Sequence, residues 1–261
     1  TAVVLHLKED TDDFKPSEFL SEYKLREMVE KYSDYIRYPI QTLVTKSKKE
    51  EGSDKYTSYT EMETLNSMVP LWARPRNKVK KKEYEEFYKQ KFNDYLEPAY
   101  TIKADIEGAV NYKALLFVPQ HAPYDYYTKE YKRGLKLYSA GVLIMDSCAD
   151  LLPDCFGFIK GVVDSPDLSL NISREVLQQD RQLKTIAESL EKKIVAEFKK
   201  FLKNDREGYE KMFGEYAASI KFGVYDKFGA KKDALKDIVL FYSSYEKKLT
   251  LLSEYVSRMK E

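Results

Sequence analysis

Arg174 is a basic residue where local physics would not choose one. It lies within residues 158–181, FIKGVVDSPDLSLNISREVLQQDR. Residues 158–164 have the pattern of a buried strand, Ser165-Pro166-Asp167 has turn chemistry, and Ser173 is a good N-cap for a helix opening at Arg174. A helix N-terminus carries partial positive charge and free N–H donors, so an arginine in its first turn is mildly unfavourable. A bound anion reverses that sign, because Arg174 and the free amides then hold it together. Gln178, one turn on, shares the helix face and reaches the same ligand. Two readings follow: a phosphate-contacting arginine presented by a loop, or an arginine paired with a carboxylate such as Asp167 or Asp180. Other chemistry is sparse. His6 and His121 are isolated, so no metal site is expected, and among 10 glycines no phosphate-cradling glycine loop occurs.

The run Leu168-Ser169-Leu170-Asn171-Ile172-Ser173-Arg174-Glu175, followed by Leu177-Gln178, resembles the catalytic-loop signature of the heat-shock protein 90 chaperone family. The likeness continues in LHLKED at 5–10, KYSDYIRYPI at 31–40, VPLWARP at 69–75 and FYK at 87–89. It resumes in LFVPQHAPYD at 116–125, LKLYSAGVLIMDSC at 135–148 and YVSRMKE at 255–261, all in the family's order. The SAGVLIMD wording and the short linker after Ile40 resemble the family's bacterial form. The resemblance implies most of the middle domain of an ATP-driven chaperone, preceded by the tail of its N-terminal nucleotide-binding domain. By the same resemblance, Arg174 contacts the ATP γ-phosphate, Gln178 supports its loop and Thr1 lines the nucleotide pocket. Trp72 matches a tryptophan on a mobile loop, which makes it a candidate for client contact beside the commoner role of a core-edge ring. ATP with Mg2+ is the implied ligand of the full-length protein, and none is expected to bind this piece alone. The implied partners are partly folded client proteins, the N-terminal ATPase domain of the same chain and a second copy in a homodimer. The competing function is a passive interaction scaffold in which Arg174 is structural.

Composition bounds these readings. The 261 residues, 43% apolar and 33% charged, suit one large domain or two smaller ones with a well-solvated surface. A net charge of +1 argues against a dedicated nucleic-acid binder. No apolar run approaches the roughly 18 residues of a membrane span, so no membrane partner is expected. Cys148 and Cys155 are the only cysteines, which suggests a reducing, cytoplasmic setting rather than a disulfide framework. The chain opens at Thr1 without a leader pattern and is expected to be a piece of a longer protein.

The expected architecture is mixed α/β: a three-layer α/β/α sandwich followed by a small helical bundle. Residues 1–36 form a strand (2–8) and a helix (16–34) as the tail of the nucleotide-binding domain; they are expected to dock on another copy, exchange, or stay poorly ordered. Residues 37–60 hold a strand (38–45) and a polar linker (46–58) too poor in apolar content to pack. Residues 61–182 carry the sandwich with the catalytic loop: a helix at 82–92 and strands at 100–106, 113–118, 135–145 and 158–163, with a bulge or bend at Gly141. Residues 183–261 form the helical coil. Leu183, Ile186, Leu190, Ile194, Phe198 and Phe201 make its apolar stripe, and further helices are expected at 207–228, 231–242 and 249–259, with Gly214 and Gly223 as weak points.

Overall fold

The computed structural model describes residues 1–49, 56–168 and 181–259. They divide into two compact units, residues 1–70 with 141–143, and residues 71–140 with 144–261.

In the first unit, residues 1–10 form no regular element, and Val3, Val4, Leu5 and Leu7 are exposed. The expected strand at 2–8 is therefore not formed. A lone strand has no ladder to satisfy its N–H and C=O groups, and no described segment pairs with it. The helix expected at 16–34 is built in three pieces: a 3-10 turn (Pro16–Leu20), α1 (Glu22–Met28) and a π-helical turn (Val29–Ser33). Ser21 caps α1, its hydroxyl oxygen accepting from the Lys24 N–H at 3.2 Å. The linker expectation also needs correction. Strands β1 (Gln41–Lys49) and β2 (Tyr56–Thr64) form a long antiparallel ladder, with Lys49 opposite Tyr56. Polarity misled here, because a solvated ribbon needs β-branched and aromatic residues rather than a buried face; Thr42, Val44, Thr45, Tyr56, Thr57, Tyr59 and Thr60 supply them. Buried Asn66 ties the ribbon down, accepting from the Ile40 N–H and donating to the carbonyls of Ile36 and Tyr38, all within 2.8–2.9 Å.

The second unit is the α/β sandwich. Helix α2 (Lys81–Phe92) precedes β3 (Tyr100–Ile106), β4 (Tyr112–Val118), β5 (Leu135–Ser139), β6 (Val142–Cys148) and β7 (Lys160–Asp164). These form one mixed sheet in the order β3-β4-β7-β5-β6, with β3–β4 and β4–β7 antiparallel and β7–β5 parallel. The single strand expected at 135–145 is two. Ala140 (φ 49°) and Gly141 (φ 83°) turn the chain between them, the paired positive-φ geometry of a two-residue hairpin.

The side chains of β4 alternate between two covered faces, so Ala114 to Val118 are all buried. Ala114, Leu116 and Val118 join the main core with α3 (Arg181–Asn204) and α4 (Arg206–Gly229). Phe117 turns the other way, toward α2, its ring 5.1 Å from Tyr88 and 6.1 Å from Phe87. A strand covered on both faces has to be a nearly continuous apolar run, which is what KALLFV is. All six residues of the predicted α3 stripe are buried, and Tyr216 of α4 stacks on Phe158 at 4.0 Å. Gly214 and Gly223 do not interrupt α4. Its break comes at Asp226–Phe228, where Lys227 and Phe228 take positive φ.

Beyond that point the helices expected at 231–242 and 249–259 shrink to α5 (Lys232–Leu235) and α6 (Leu252–Val256). Between them runs a hairpin, β8 (Leu240–Ser243) with β9 (Lys248–Leu251). The run IVLFYSSYEKKLTL favours strands through its aromatic and β-branched residues, which outweighs the loose helical spacing. Arg206 holds the hairpin to α4 by reaching the Leu249 carbonyl at 2.9 Å and Glu254 at 3.0 Å.

Candidate functional site

The run carrying Arg174 leaves the sheet from β7, the central strand, and its root is held on both flanks. Toward β5, the Ser165 N–H donates to the Tyr138 carbonyl at 3.1 Å. Toward β4, the Ser165 hydroxyl donates to the Asn111 carbonyl at 2.6 Å. The Asn111 N–H in turn donates to Asp167 Oδ2 at 2.7 Å. One step further the Ser139 hydroxyl, at the end of β5, donates to the Leu168 carbonyl at 2.6 Å. Ser139, Ser165 and Leu168 are all buried, and buried polar groups persist only when paired like this. On the far side Arg181 opens α3, with Leu183 and Ile186 in the core and the Thr185 hydroxyl donating to the Arg181 carbonyl at 2.9 Å.

Arg174, Gln178, Ser173 and Asp180 lie outside the described residues. Thr1 is exposed and belongs to the first unit.

Trp72 corrects an expectation. Its ring is fully buried (0% exposed), 5.1 Å from Tyr138 and 6.1 Å from Phe87, and its indole N–H donates to Asp164 Oδ2 at 3.0 Å. The indole therefore offers a client no surface in this conformation. The sandwich needs an aromatic over the α2 face of the sheet, and Asp164 supplies the partner that a buried indole N–H requires. Trp72 is instead a strut against the last residue of β7, ten positions before Arg174.

Asn111, Asp164 and the acceptor role of Asp167 were not foreseen. Ser-Pro-Asp after a strand signals a turn, but nothing in the sequence says that its side chains close on Asn111, more than fifty positions away.

Among the described residues no group of three or more His, Cys, Asp or Glu side chains converges as a metal site, and no helix is long and apolar enough to cross a membrane. Burial pushes the Cys148 thiol up to about 11 and the Cys155 thiol up to about 12, so both are inert packing groups rather than nucleophiles.

Comparison with known proteins agrees with the motif reading. The model of the Hsp90 protein family matches residues 53–261. Chaperone protein HtpG of Clostridium acetobutylicum is 54% identical over 262 aligned positions, which cover all of this chain and 42% of that protein. The HtpG proteins of Clostridium perfringens and Clostridium botulinum are 52% and 51% identical over the same span. The chain thus spans about 42% of the length of these relatives. It belongs to the heat-shock protein 90 family.

Proposed function

We propose that this chain is the part of an ATP-driven molecular chaperone that delivers Arg174 to the γ-phosphate of ATP held on a separate nucleotide-binding domain. Mg2+ accompanies the nucleotide, Gln178 steadies the arginine's segment, and Thr1 lines the nucleotide pocket. The ATPase site is then split between domains, so hydrolysis waits for docking. The arginine stabilises charge that develops on the transferring phosphoryl group. The observation that supports this reading best is the doubly anchored root at Ser165 and Leu168. A group that must meet a phosphate across an interface needs a rigid mount. The same protein would act as a cytoplasmic homodimer and hold partly folded clients. An exposed aromatic group on α4, formed by Phe222, Tyr225 and Phe228 beside Asp226 and Lys227, offers the mixed apolar and charged surface such clients require.

The test is Arg174→Ala in the full-length protein. ATP affinity should stay near wild type, while turnover falls strongly; an arginine supplied across an interface is worth about 10³-fold in other phosphoryl-transfer systems. Unchanged turnover would remove Arg174 from the mechanism and leave the passive scaffold with a structural arginine as the better reading.

A further inference from the structure

The β4–β7 ladder ends where the turn chemistry begins. Its last pair at this end is Lys113 with Asp164, so the following antiparallel positions set Asn111 opposite Pro166. Proline has no N–H to donate, and backbone pairing stops. Side chains take over both main-chain groups of Asn111. Its carbonyl accepts from the Ser165 hydroxyl at 2.6 Å, and its N–H donates to Asp167 Oδ2 at 2.7 Å. The Asp167 N–H closes the ring on Ser165 Oγ at 3.3 Å. Asn111 is itself held from the β3–β4 turn, its Oδ1 accepting from the Gly108 N–H at 3.2 Å. The sheet is thereby extended two residues past its own ladder, without backbone bonds.

We propose that Ser165 and Asp167 are positioning residues for ATP hydrolysis: their clasp on Asn111 fixes the end of β7, the anchor from which the sequence continues to Arg174. The inference rests on reading Arg174 as the phosphate-contacting arginine. Neither residue touches substrate. The role assigned to Asp167 is that of a hydrogen-bond acceptor for a backbone N–H, which is distinct from that of a counter-charge. Asparagine offers the same carbonyl oxygen at the same reach, so the two roles separate cleanly by substitution.

The experiment uses the full-length protein and steady-state ATP turnover in Ser165→Ala, Asp167→Ala, Asp167→Asn, Arg174→Ala and the double variant Asp167→Ala/Arg174→Ala. Misplacing a catalytic group by about 1 Å costs on the order of 10²-fold. Ser165→Ala and Asp167→Ala should therefore lower kcat about 10- to 100-fold with KM for ATP unchanged. Asp167→Asn should restore most of the rate, and Asp167→Ala should add little once Arg174 is gone. If Asp167→Asn is as slow as Asp167→Ala, the carboxylate acts by its charge and the clasp is overturned. Wild-type kcat in Ser165→Ala and Asp167→Ala beside a slow Arg174→Ala overturns the clasp but keeps the arginine. Wild-type turnover in Arg174→Ala overturns the reading beneath both. Should Asp167→Ala fail to fold, Ser165→Ala and Asp167→Asn carry the same test, since one loses a single hydroxyl and the other keeps the acceptor.

Discussion

Trp72→Phe is a clean perturbation, because Trp72 is the chain's only tryptophan and its surroundings are well defined. Phenylalanine keeps an aromatic ring between Tyr138 and Phe87 but cannot donate to Asp164. A hydrogen bond to a charged acceptor contributes about 1.5–3 kcal/mol. The smaller ring also leaves a void of a few tens of Å³, worth about 1 kcal/mol at roughly 24 cal/mol per Å³. Asp164 has further interactions, which places the total toward the lower end, about 2.5 kcal/mol. Trp72→Ala, which empties the site, should cost about 3–5 kcal/mol. The assay is urea unfolding followed by far-UV circular dichroism, reading the transition of residues 71–261 with the m-value held constant. Wild-type tryptophan fluorescence supplies an independent check, since a buried indole resists acrylamide quenching. The reasoning fails if Trp72→Phe shifts stability by less than about 0.5 kcal/mol, the range of a surface substitution, or if acrylamide quenches the wild-type indole as freely as an exposed one. The second result would also reinstate Trp72 as a contact surface.

Two further outcomes follow from the core of the second unit. A methyl group at Gly223 would meet Cys155 Cβ at 2.5 Å and Sγ at 2.8 Å, so Gly223→Ala should destabilise by about 1–3 kcal/mol in thermal unfolding, while Gly214→Ala, which meets nothing within 4 Å, should be neutral or stabilising. Glu197 should make the fold acid-sensitive. Burial pushes its carboxyl up, but hydrogen bonds from Lys200 and Lys193 outweigh that and hold it below its ordinary 4.5. A depressed native value means that the stabilisation is fully present above pH 4.5 and is lost as pH falls through the native value. Unfolding midpoints measured from pH 6 to 3 should therefore drop less steeply in Glu197→Gln than in wild type, and parallel slopes would exclude Glu197 as the source.

How much of this was legible in sequence depended on whether the controlling contact was local. The α3 stripe from Leu183 to Phe201 and the limits of α2 and β3 followed from periodicity, because burial of one helix face or both strand faces is written in the apolar positions themselves. The strand expected at 38–45 is found as β1, but its extension to Lys49, its partner β2 and the β8–β9 hairpin escape a local reading for a related reason. Each was assigned by polarity or by loose helical spacing, whereas strand pairing is decided by a partner segment that no local window contains. At the site the same distinction cuts more finely. Ser165-Pro166-Asp167 announces a turn and Arg174 stands out as a misplaced charge, but a local window offers Asp167 only partners that are near it along the chain. In the fold, Asp167 Oδ2 accepts from the N–H of Asn111 at 2.7 Å. Pro166 explains why: by ending the β4–β7 ladder it leaves the N–H and C=O of Asn111 in need of partners, and the residues on either side of the proline provide them. The proline is thus more than turn punctuation; its missing N–H is what makes the flanking serine and aspartate necessary.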